Sequence, residues 1–408
     1  MRRIVLLALA VFAASIPVEN VFVSSTGATL SRWLGLAALA LAGLDLLQRK
    51  TIRRWPRPML WLSLFVVWGL LSYFWSEAPD QTAHGFVTYG QLFGLVALLW
   101  EYVRSERELR ILIGSYCAGS TLTSILTYQR FRGGTMHFYG RYAAGVFDPN
   151  VLAVVVGLGA IGLLYLAWIG QPRSLVRVLP LVLLPVHVVA MLLTGSRSGV
   201  ASAVCGVVVF VWKSKSISSR RVPLIAVLVP LGLVLAVQSV PQFSLDRLGM
   251  TRIETIGGGT IDKRTPIWRV AATEFGRRPL VGIGADAFID VSLSAYGEHR
   301  VVHNTYLSVL VERGIVGLAL GVGVLWGVTS ALRRKSREVG SSAEIALIFG
   351  LLAAMAVASM ALTMEPRKST WLVVGLGVAV GAMRRSESPG SFVAHRARVH
   401  LAKAKAAL

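Results

Sequence analysis

Long apolar runs alternate with short polar segments along almost the whole chain. A helix needs about 20 apolar residues to cross the roughly 30 Å hydrocarbon layer of a membrane, so each run predicts one spanning helix. Twelve spans are predicted in this way, and we expect an all-α polytopic integral membrane protein. The predicted spans are 4–22, 30–47, 58–75, 83–102, 108–128, 150–169, 176–195, 198–213, 221–240, 314–332, 342–362 and 369–383.

The spacing of these spans divides the chain into four parts. We predict nine transmembrane helices within 1–240, a large and partly helical outer loop at 241–313, three further helices within 314–383 and a basic cytoplasmic tail at 384–408. The first residues also resemble a signal peptide, because a basic start is followed by a short apolar core and small side chains. The many further spans favour an uncleaved first helix instead.

Composition and charge agree with this class. Of all residues, 54% are hydrophobic and only 15% are charged, whereas about a quarter are charged in an average soluble domain. A net charge of +22 would suggest a nucleic-acid partner for a soluble chain, but in a membrane protein the position of the charges decides. Lys and Arg gather in alternate connections. The positive-inside rule then predicts cytoplasmic termini and an outer location for the loop 241–313.

Several basic residues nevertheless lie in predicted outer connections, at 127–149, 194–199, 241–313 and 363–369. Topology gives these cations no role, so an anionic substrate that approaches from outside would explain them. Alternatively, the arginines of 241–313 pair with acids of the same loop, and this interpretation is favoured for most of them. Arg197 has no carboxylate near it in the sequence, which makes it the stronger candidate for binding an anion.

Arg264 precedes a segment with the signals of a short helix, RTPIWRVAATEFG at 264–276. Thr265 suits the N-cap, Pro266 the first helical position and Gly276 the stop. Exposed backbone N–H groups and the helix dipole favour anions at a helix N-terminus, so Arg264 would complete a phosphate-binding corner. A surface arginine beside a helix cap is an equally good interpretation of the local sequence.

His303 opens the stretch VVHNTYLSVLVERGIVGL at 301–318. Residues 314–332 suffice for a span, so we predict that 304–313 is a short helix at the outer surface. Asn304 is a natural N-cap, which places His303 just outside a helix N-terminus. The helix dipole would lower the pKa of the imidazole and keep it neutral, as a general base requires. A structural histidine at a helix cap is the alternative.

Other chemistry is excluded or disfavoured by the sequence. Gly282-x-Gly284-x-x-Ala287 matches a dinucleotide fingerprint, but no βαβ context surrounds it, and a turn is the better interpretation. The chain has no Walker A, H-E-x-x-H or G-x-S-x-G sequence. Cys117 and Cys205 both lie in apolar runs without further ligands near them. We therefore predict no metal and no cofactor, and we do not expect ATP-driven or serine-hydrolase chemistry.

Five short motifs lie at predicted outer ends of the spans: LLSYFWSEAP (70–79), RYAAGVFDPNVLA (141–153), TGSRSG (194–199), RTPIW followed by PLVGIG (264–268 and 279–284) and HNTYLSVLVERGIVGL (303–318). In this order, and with a large late outer loop, they make most of the chain resemble one family. It is the O-antigen ligase and O-antigen polymerase superfamily of bacterial envelope glycosyltransferases. Members take a glycan from an undecaprenyl-pyrophosphate carrier at the outer face of the inner membrane, without a metal.

The resemblance implies roles for four residues. Arg197 and Arg264 correspond to the arginines that hold the pyrophosphate, and His303 corresponds to the residue that activates the acceptor hydroxyl. Arg141 falls on a third recurrent arginine of the family, with a less defined substrate-binding role. Asp148 departs from the pattern, because a histidine often stands there in relatives, and it therefore receives no role.

The function expected from this resemblance is that of an O-antigen ligase in lipopolysaccharide biosynthesis. Its partners would be the lipid-linked glycan donor, a lipid A-core acceptor and membrane lipid, with no nucleic acid. The protein would be a multi-pass inner-membrane enzyme with both termini cytoplasmic and a periplasmic active site. A polymerase with the same donor chemistry remains open. A twelve-helix transporter or lipid flippase is disfavoured because the two halves show no internal repeat, and a non-catalytic scaffold is the third alternative.

Overall fold

The computed structural model describes residues 1–23, 29–137, 140–170, 175–214, 240–242, 244, 260–340 and 342–383. Within these residues the protein is all α, and two short 3₁₀ helices, Ile16–Val18 and Ser72–Trp75, accompany the α-helices. The α-helices are α1 Arg2–Ser15, α2 Leu30–Arg49, α3 Arg57–Leu71, α4 Pro79–Tyr102, α5 Glu106–Arg132, α6 Pro149–Ile169, α7 Leu175–Leu193, α8 Arg197–Lys213, α9 Thr260–Arg277, α10 Phe288–Tyr296, α11 Thr305–Val339, α12 Ala343–Ser359 and α13 Lys368–Gly381.

Each predicted span in the described part of the chain falls on a helix. The predicted span at 221–240 lies almost wholly outside the described residues, and the predicted tail at 384–408 lies wholly outside them. Among the described residues, six helices are long and apolar enough to cross a membrane, namely α2, α3 with its 3₁₀ turn, α4, α5, α6 and α11. Large apolar side chains cover the surface: Leu47 is 75% exposed and Phe74 is 80% exposed. These features confirm an all-helical membrane protein.

Helix α6 lies in the centre of the bundle, and nearly all of its residues are buried. Its glycines allow the neighbouring helices to approach closely. A Cβ atom on Gly159 would lie 2.1 Å from the Ser120 hydroxyl of α5, and one on Gly162 would lie 2.7 Å from the Cys117 sulfur. Small residues at helix contacts are typical of membrane bundles, where close packing replaces the hydrophobic effect as the source of association.

The helix ends group into two layers at opposite ends of the bundle. At one of them, Arg49 pairs with Glu101 at 2.8 Å, and Glu344 accepts a hydrogen bond of 3.0 Å from Tyr165 at the C-terminal part of α6. We call this layer the basic end. The N-terminus of α6 must therefore lie at the other layer, together with the C-terminus of α12. We call that layer the site end, because it contains every candidate residue of the sequence analysis.

A sharp break divides α11 at Gly314, which has φ +65° and ψ −172°. Backbone hydrogen bonds join the broken turn to the segment 279–284: Ile283 N–H donates to Val311 O at 3.0 Å, and Ile315 N–H donates to Pro279 O at 2.9 Å. A Cβ atom on Gly314 would lie 2.1 Å from the Leu280 carbonyl oxygen, so only glycine fits there. The predicted division between a short helix at 304–313 and the following span is confirmed.

The prediction for the start of α9 was wrong. This helix begins at Thr260, so Thr265 is not its N-cap and Arg264 does not precede its N-terminus. Pro266 lies inside the helix instead. Proline fixes a φ angle that is compatible with a helix, and it therefore indicates a helical position without making that position the first one.

Among the described residues, the arginines of the segment 241–313 pair only partly as expected. Two of them contact acids of the same segment, and two contact acids elsewhere in the chain. The four pairs are Arg277–Glu274 at 2.8 Å, Arg300–Glu298 at 2.7 Å, Arg278–Glu77 at 3.4 Å and Arg313–Glu365 at 2.8 Å. The segment is therefore tied to the helical bundle by ion pairs as well as by its backbone.

Candidate functional site

Arg141 joins two loops at the site end. Its side chain is only 4% exposed, and its Nε donates to the Thr194 carbonyl oxygen at 2.6 Å. Its Nη2 donates to Asn150 Oδ1 at 2.8 Å, in the first turn of α6. These contacts hold the turn at 194–196 against the N-terminus of α6. They give Arg141 a positioning role beside the candidate site, which local sequence alone did not indicate.

Arg197 is the first residue of α8 and is exposed. The chain reaches it through Gly195, which has φ +58°, and Ser196, whose hydroxyl accepts a hydrogen bond from Gly199 N–H at 3.2 Å as the N-cap. The guanidinium group is thus carried at the start of a helix, where the dipole adds further positive potential. This corner is suited to an anion.

His303 has an unusual backbone conformation. Its φ of +55° is uncommon for a residue other than glycine, and such strain persists only where the surroundings enforce it. The His303 N–H donates to Thr363 Oγ1 at 3.2 Å, and Asn304 Oδ1 accepts from Leu307 N–H at 3.0 Å as the N-cap of α11. The predicted cap is therefore confirmed, and the histidine lies immediately outside this helix.

The electrostatic surroundings of His303 keep its imidazole neutral. Burial lowers its pKa, the nearby guanidinium groups of Arg264 and Arg300 lower it further, and Asp148 opposes them. Burial also lowers the pKa of Arg264, again opposed by Asp148. His303, Arg264 and Asp148 therefore lie within electrostatic reach of one another. The neutral imidazole agrees with the prediction, although burial comes before any helix dipole as its cause.

Asp148 is the residue at this site that sequence reasoning left without a role. Its side chain caps α6 by accepting hydrogen bonds from Asn150 N–H at 2.8 Å and Val151 N–H at 3.1 Å. The Asp-Pro-Asn order at 148–150 was a legible helix-start signal. Its electrostatic link to Arg264 and His303 required the tertiary structure, because these residues are far apart in sequence.

A second group of charged residues lies deeper in the bundle, around Arg313, whose side chain is 1% exposed. Its Nη2 lies 2.8 Å from Glu365 Oε1 without hydrogen-bond alignment, and its guanidinium faces the rings of Phe65 and Tyr89 at 4.4 and 4.3 Å. Tyr89 in turn donates to Glu365 Oε2 at 2.5 Å. The predicted surface helix at 304–313 would have placed Arg313 near the surface, and most arginines of 241–313 were predicted to pair with acids of the same loop.

Two more carboxylates, Asp286 and Glu312, interact electrostatically with this arginine. Burial raises the pKa of Asp286, and the Arg313 charge opposes the increase. The same two effects act on the pKa of Glu365. This group surrounds a single cation with three acids, so it stabilises the junction of 279–287, α11 and the α12–α13 connection and does not offer an anion site.

The described part of the chain contains no set of ligands for a metal ion. No group of three or more His, Cys, Asp or Glu side chains there could hold a metal ion. Both cysteines are free thiols. The polar groups at the site end include a histidine, arginines and the N-termini of α6, α8 and α11, which suit binding of an anion and transfer of a proton.

Comparison with known families agrees with this geometry. Residues 181–322, about a third of the chain, match the family model described as O-antigen ligase. This match supports the resemblance to the O-antigen ligase superfamily. No curated protein matches the chain. The matched region begins in α7 and ends in α11, so it includes Arg197, Arg264 and His303, whereas Arg141 and Asp148 precede it.

Proposed function

We propose that this protein is a glycosyltransferase that moves an O-antigen-type glycan from an undecaprenyl-pyrophosphate carrier to a lipid A-core sugar. It would thus be an O-antigen ligase. One observation carries the proposal: a neutral, half-buried His303 lies within electrostatic reach of Arg264 at the end of the bundle where α6, α8 and α11 begin. A base and a cation beside helix N-termini are the groups that glycosyl transfer from a pyrophosphate requires.

The proposed reaction is a direct substitution at the anomeric carbon of the glycan. The acceptor hydroxyl attacks this carbon, and the bond from the carbon to the pyrophosphate oxygen breaks. The bonding electrons leave with the carrier pyrophosphate, whose added charge is stabilised by Arg197 and Arg264 through charge-assisted hydrogen bonds. His303 takes the proton of the hydroxyl. The carrier bond supplies the driving force, so neither ATP nor a metal has a part in the step.

The proposed topology follows the charge distribution. Twelve spans would place both termini in the cytoplasm and the segment 241–313 in the periplasm of a bacterial cell. The basic end, with Arg49 and the arginines at 53–57, would then face the cytoplasm, as the positive-inside rule requires. The site end would face the periplasm, where lipid-linked glycan and lipid A-core meet. The division into 1–240, 241–313, 314–383 and 384–408 is part of this proposal.

Reconstitution tests the proposed reaction. Purified protein in liposomes is expected to convert a carrier-linked glycan and lipid A-core into a glycolipid product. Arg197→Ala should reduce the rate about 10²- to 10³-fold, because it removes one group that stabilises the leaving charge. Arg132→Ala is the matched control, since Arg132 is also an exposed arginine near the site end but begins no helix. Equal rates for the two variants would contradict the proposed role of Arg197.

A deletion strain separates ligase from polymerase. For a ligase, we expect all long chains to disappear from the lipopolysaccharide core while carrier-linked polymer accumulates. A core that carries a single repeat unit would instead identify a polymerase. Movement of the lipid-linked glycan across liposomes without any new glycosidic bond would identify a flippase and contradict the proposal.

The pH profile of transfer should depend on Asp148. Its carboxylate raises the pKa of His303, so Asp148→Asn is expected to lower that pKa. Because the neutral imidazole is the active form, the acid limb of kcat/KM should move to lower pH in the variant. Asparagine remains a good N-cap for α6, so the fold should be retained. An acid limb that stays unchanged, or moves to higher pH, would show that His303 is not the titrating base.

A further inference from the structure

A cavity of about 260 Å³ lies between α1, α2, α4 and the start of α13, apart from the arginines assigned to the donor. One part of its lining is polar and basic, with Arg32, Arg367 and Lys368 among its residues. The remainder is an apolar wall formed by Phe12, Leu36, Leu39, Leu92, Leu95 and Leu98. This combination matches an amphiphile with an anionic headgroup.

The three cations at the mouth are not equivalent. Lys368 Nζ lies 2.6 Å from Glu19 Oε2 and 2.8 Å from the Ser31 hydroxyl, so its charge is neutralised within the protein. Arg367 Nε is buried and has no hydrogen-bond partner among the described residues. The Arg32 side chain is exposed at the first turn of α2. The mouth therefore retains an excess of positive charge, and a buried donor that lacks a partner is costly unless a ligand satisfies it.

The apolar wall follows directly from helical spacing. Arg32, Leu36 and Leu39 recur at intervals of three and four residues on one face of α2. The opposing face of α4 supplies Leu92 and Leu95 in the same way. Helix α2 is among the least buried spans and its Leu36 is 39% exposed, whereas Leu92 and Leu95 of α4 are buried, so the α2 side of this wall reaches the surface of the bundle. A lipid could therefore enter sideways, with its chains along the leucines and its headgroup at the site end.

The connection between α12 and α13 links this cavity to the proposed base. Thr363 accepts the hydrogen bond of His303 N–H, whereas Pro366, Arg367 and Lys368 line the cavity. The hydroxyls of Thr29 and Ser31 and the amides of Asn20 and Gln91 add neutral polar groups to the lining, which suit the sugar of a glycolipid. The headgroup of a lipid bound here would lie beside the α12–α13 connection, and Thr363 of that connection contacts His303.

We propose that this cavity binds the acceptor lipid, with Arg32 and Arg367 contacting a phosphate on its sugar headgroup and the leucines contacting its acyl chains. The assignment rests on the proposed function, because it names the second substrate of the same site. The donor pyrophosphate would be held by Arg197 and Arg264, and the acceptor would reach His303 from the cavity. The ligand class is thus an amphiphile whose sugar headgroup carries a phosphate.

Binding can be measured without turnover, which separates this inference from the proposed reaction. The probe is a fluorescent, phosphorylated and acylated glucosamine disaccharide, titrated into protein in phosphatidylcholine nanodiscs. The double variant Arg32→Gln/Arg367→Gln should bind it at least about tenfold more weakly, because two charge-assisted contacts are lost. The dephosphorylated probe should bind the wild type and the double variant equally. Arg132→Gln, an exposed charge outside the cavity, should bind like the wild type.

Kinetics provide a second readout in the transfer assay. The double variant should raise KM for the acceptor while KM for the carrier-linked donor stays constant. If the double variant unfolds at a lower temperature than the wild type, the single variant Arg32→Gln is used for the test, because this exposed side chain is not needed for packing. Unchanged probe affinity, or equal displacement of the probe by phosphatidylglycerol, would overturn the acceptor site. Probe binding that depends on both arginines without any glycan transfer would retain the site and reject the proposed reaction.

Discussion

Replacement of His303 by asparagine is expected to abolish glycosyl transfer in a protein that still inserts and folds. A general base contributes about 10²- to 10⁴-fold to a proton-transfer step, and asparagine cannot accept the proton of the acceptor hydroxyl. Asparagine is chosen because His303 has φ +55°, a conformation that asparagine tolerates better than alanine does. The measurement is the rate of product formation, together with the thermal unfolding of the purified variant.

His84 supplies the matched control for this prediction. It lies near the start of α4 at the site end, is exposed, and its Nδ1 contacts the Asp80 carbonyl at 2.8 Å. His84→Asn should therefore leave the transfer rate within about twofold of the wild type, as expected for a surface substitution away from the reaction. A His303→Asn variant that is folded and still transfers glycan at the wild-type rate would remove the histidine from the mechanism.

The sequence predicted the helices of this protein well because each is encoded by residues close together in the chain. The apolar runs, the Asn304 cap and the separation of 304–313 from the following span all follow from local spacing. The start of α9 was misplaced because Pro266 favours the first helical turn, whereas this proline lies inside the helix. Helix boundaries set by a single signal are accordingly less secure than the helices themselves.

The two glycines of PLVGIG show what only the tertiary structure could supply. Their sequence was interpreted as a turn, and both have positive φ, +73° at Gly282 and +110° at Gly284. Their purpose is a close approach: a Cβ atom on Gly282 would lie 2.4 Å from the Glu312 backbone, and one on Gly284 would lie 2.3 Å from the Ser76 hydroxyl. The motif thus packs against the broken turn of α11. It thereby positions α11, which begins beside His303.

The sequence predicted which residues belong to the candidate site, but not how these residues are arranged in space. The family motifs indicated Arg197, Arg264 and His303, because each of these residues lies within a short motif that can be recognised from the sequence alone. The electrostatic contact of Asp148 with His303, and the hydrogen bond of Thr363 to its backbone, join residues more than fifty positions apart. No periodicity encodes such contacts. The same holds for Arg313 of α11, whose acidic partner Glu365 lies beyond α12 in the chain.

Replacement of Arg313 by methionine is expected to destabilise the protein by about 3–5 kcal/mol, the usual cost of breaking a buried ion pair from one side. Methionine can fill the apolar space between Phe65 and Tyr89, but it leaves Glu365, Asp286 and Glu312 buried without their cation. The measurement is the free energy of unfolding in detergent. The double variant Arg313→Met/Glu365→Gln should recover part of the loss, because one uncompensated charge is removed with the cation.

Arg300 supplies the control for this charge effect. Its ion pair with Glu298 is solvent-exposed on both sides, so Arg300→Met should cost well under about 1 kcal/mol. If Arg313→Met were no more destabilising than Arg300→Met, the buried cluster would have no role in holding α11 to the α12–α13 connection. A large loss restored by the double variant would instead show that the arginine is retained to balance carboxylates. These same carboxylates anchor the connection through which Thr363 reaches His303.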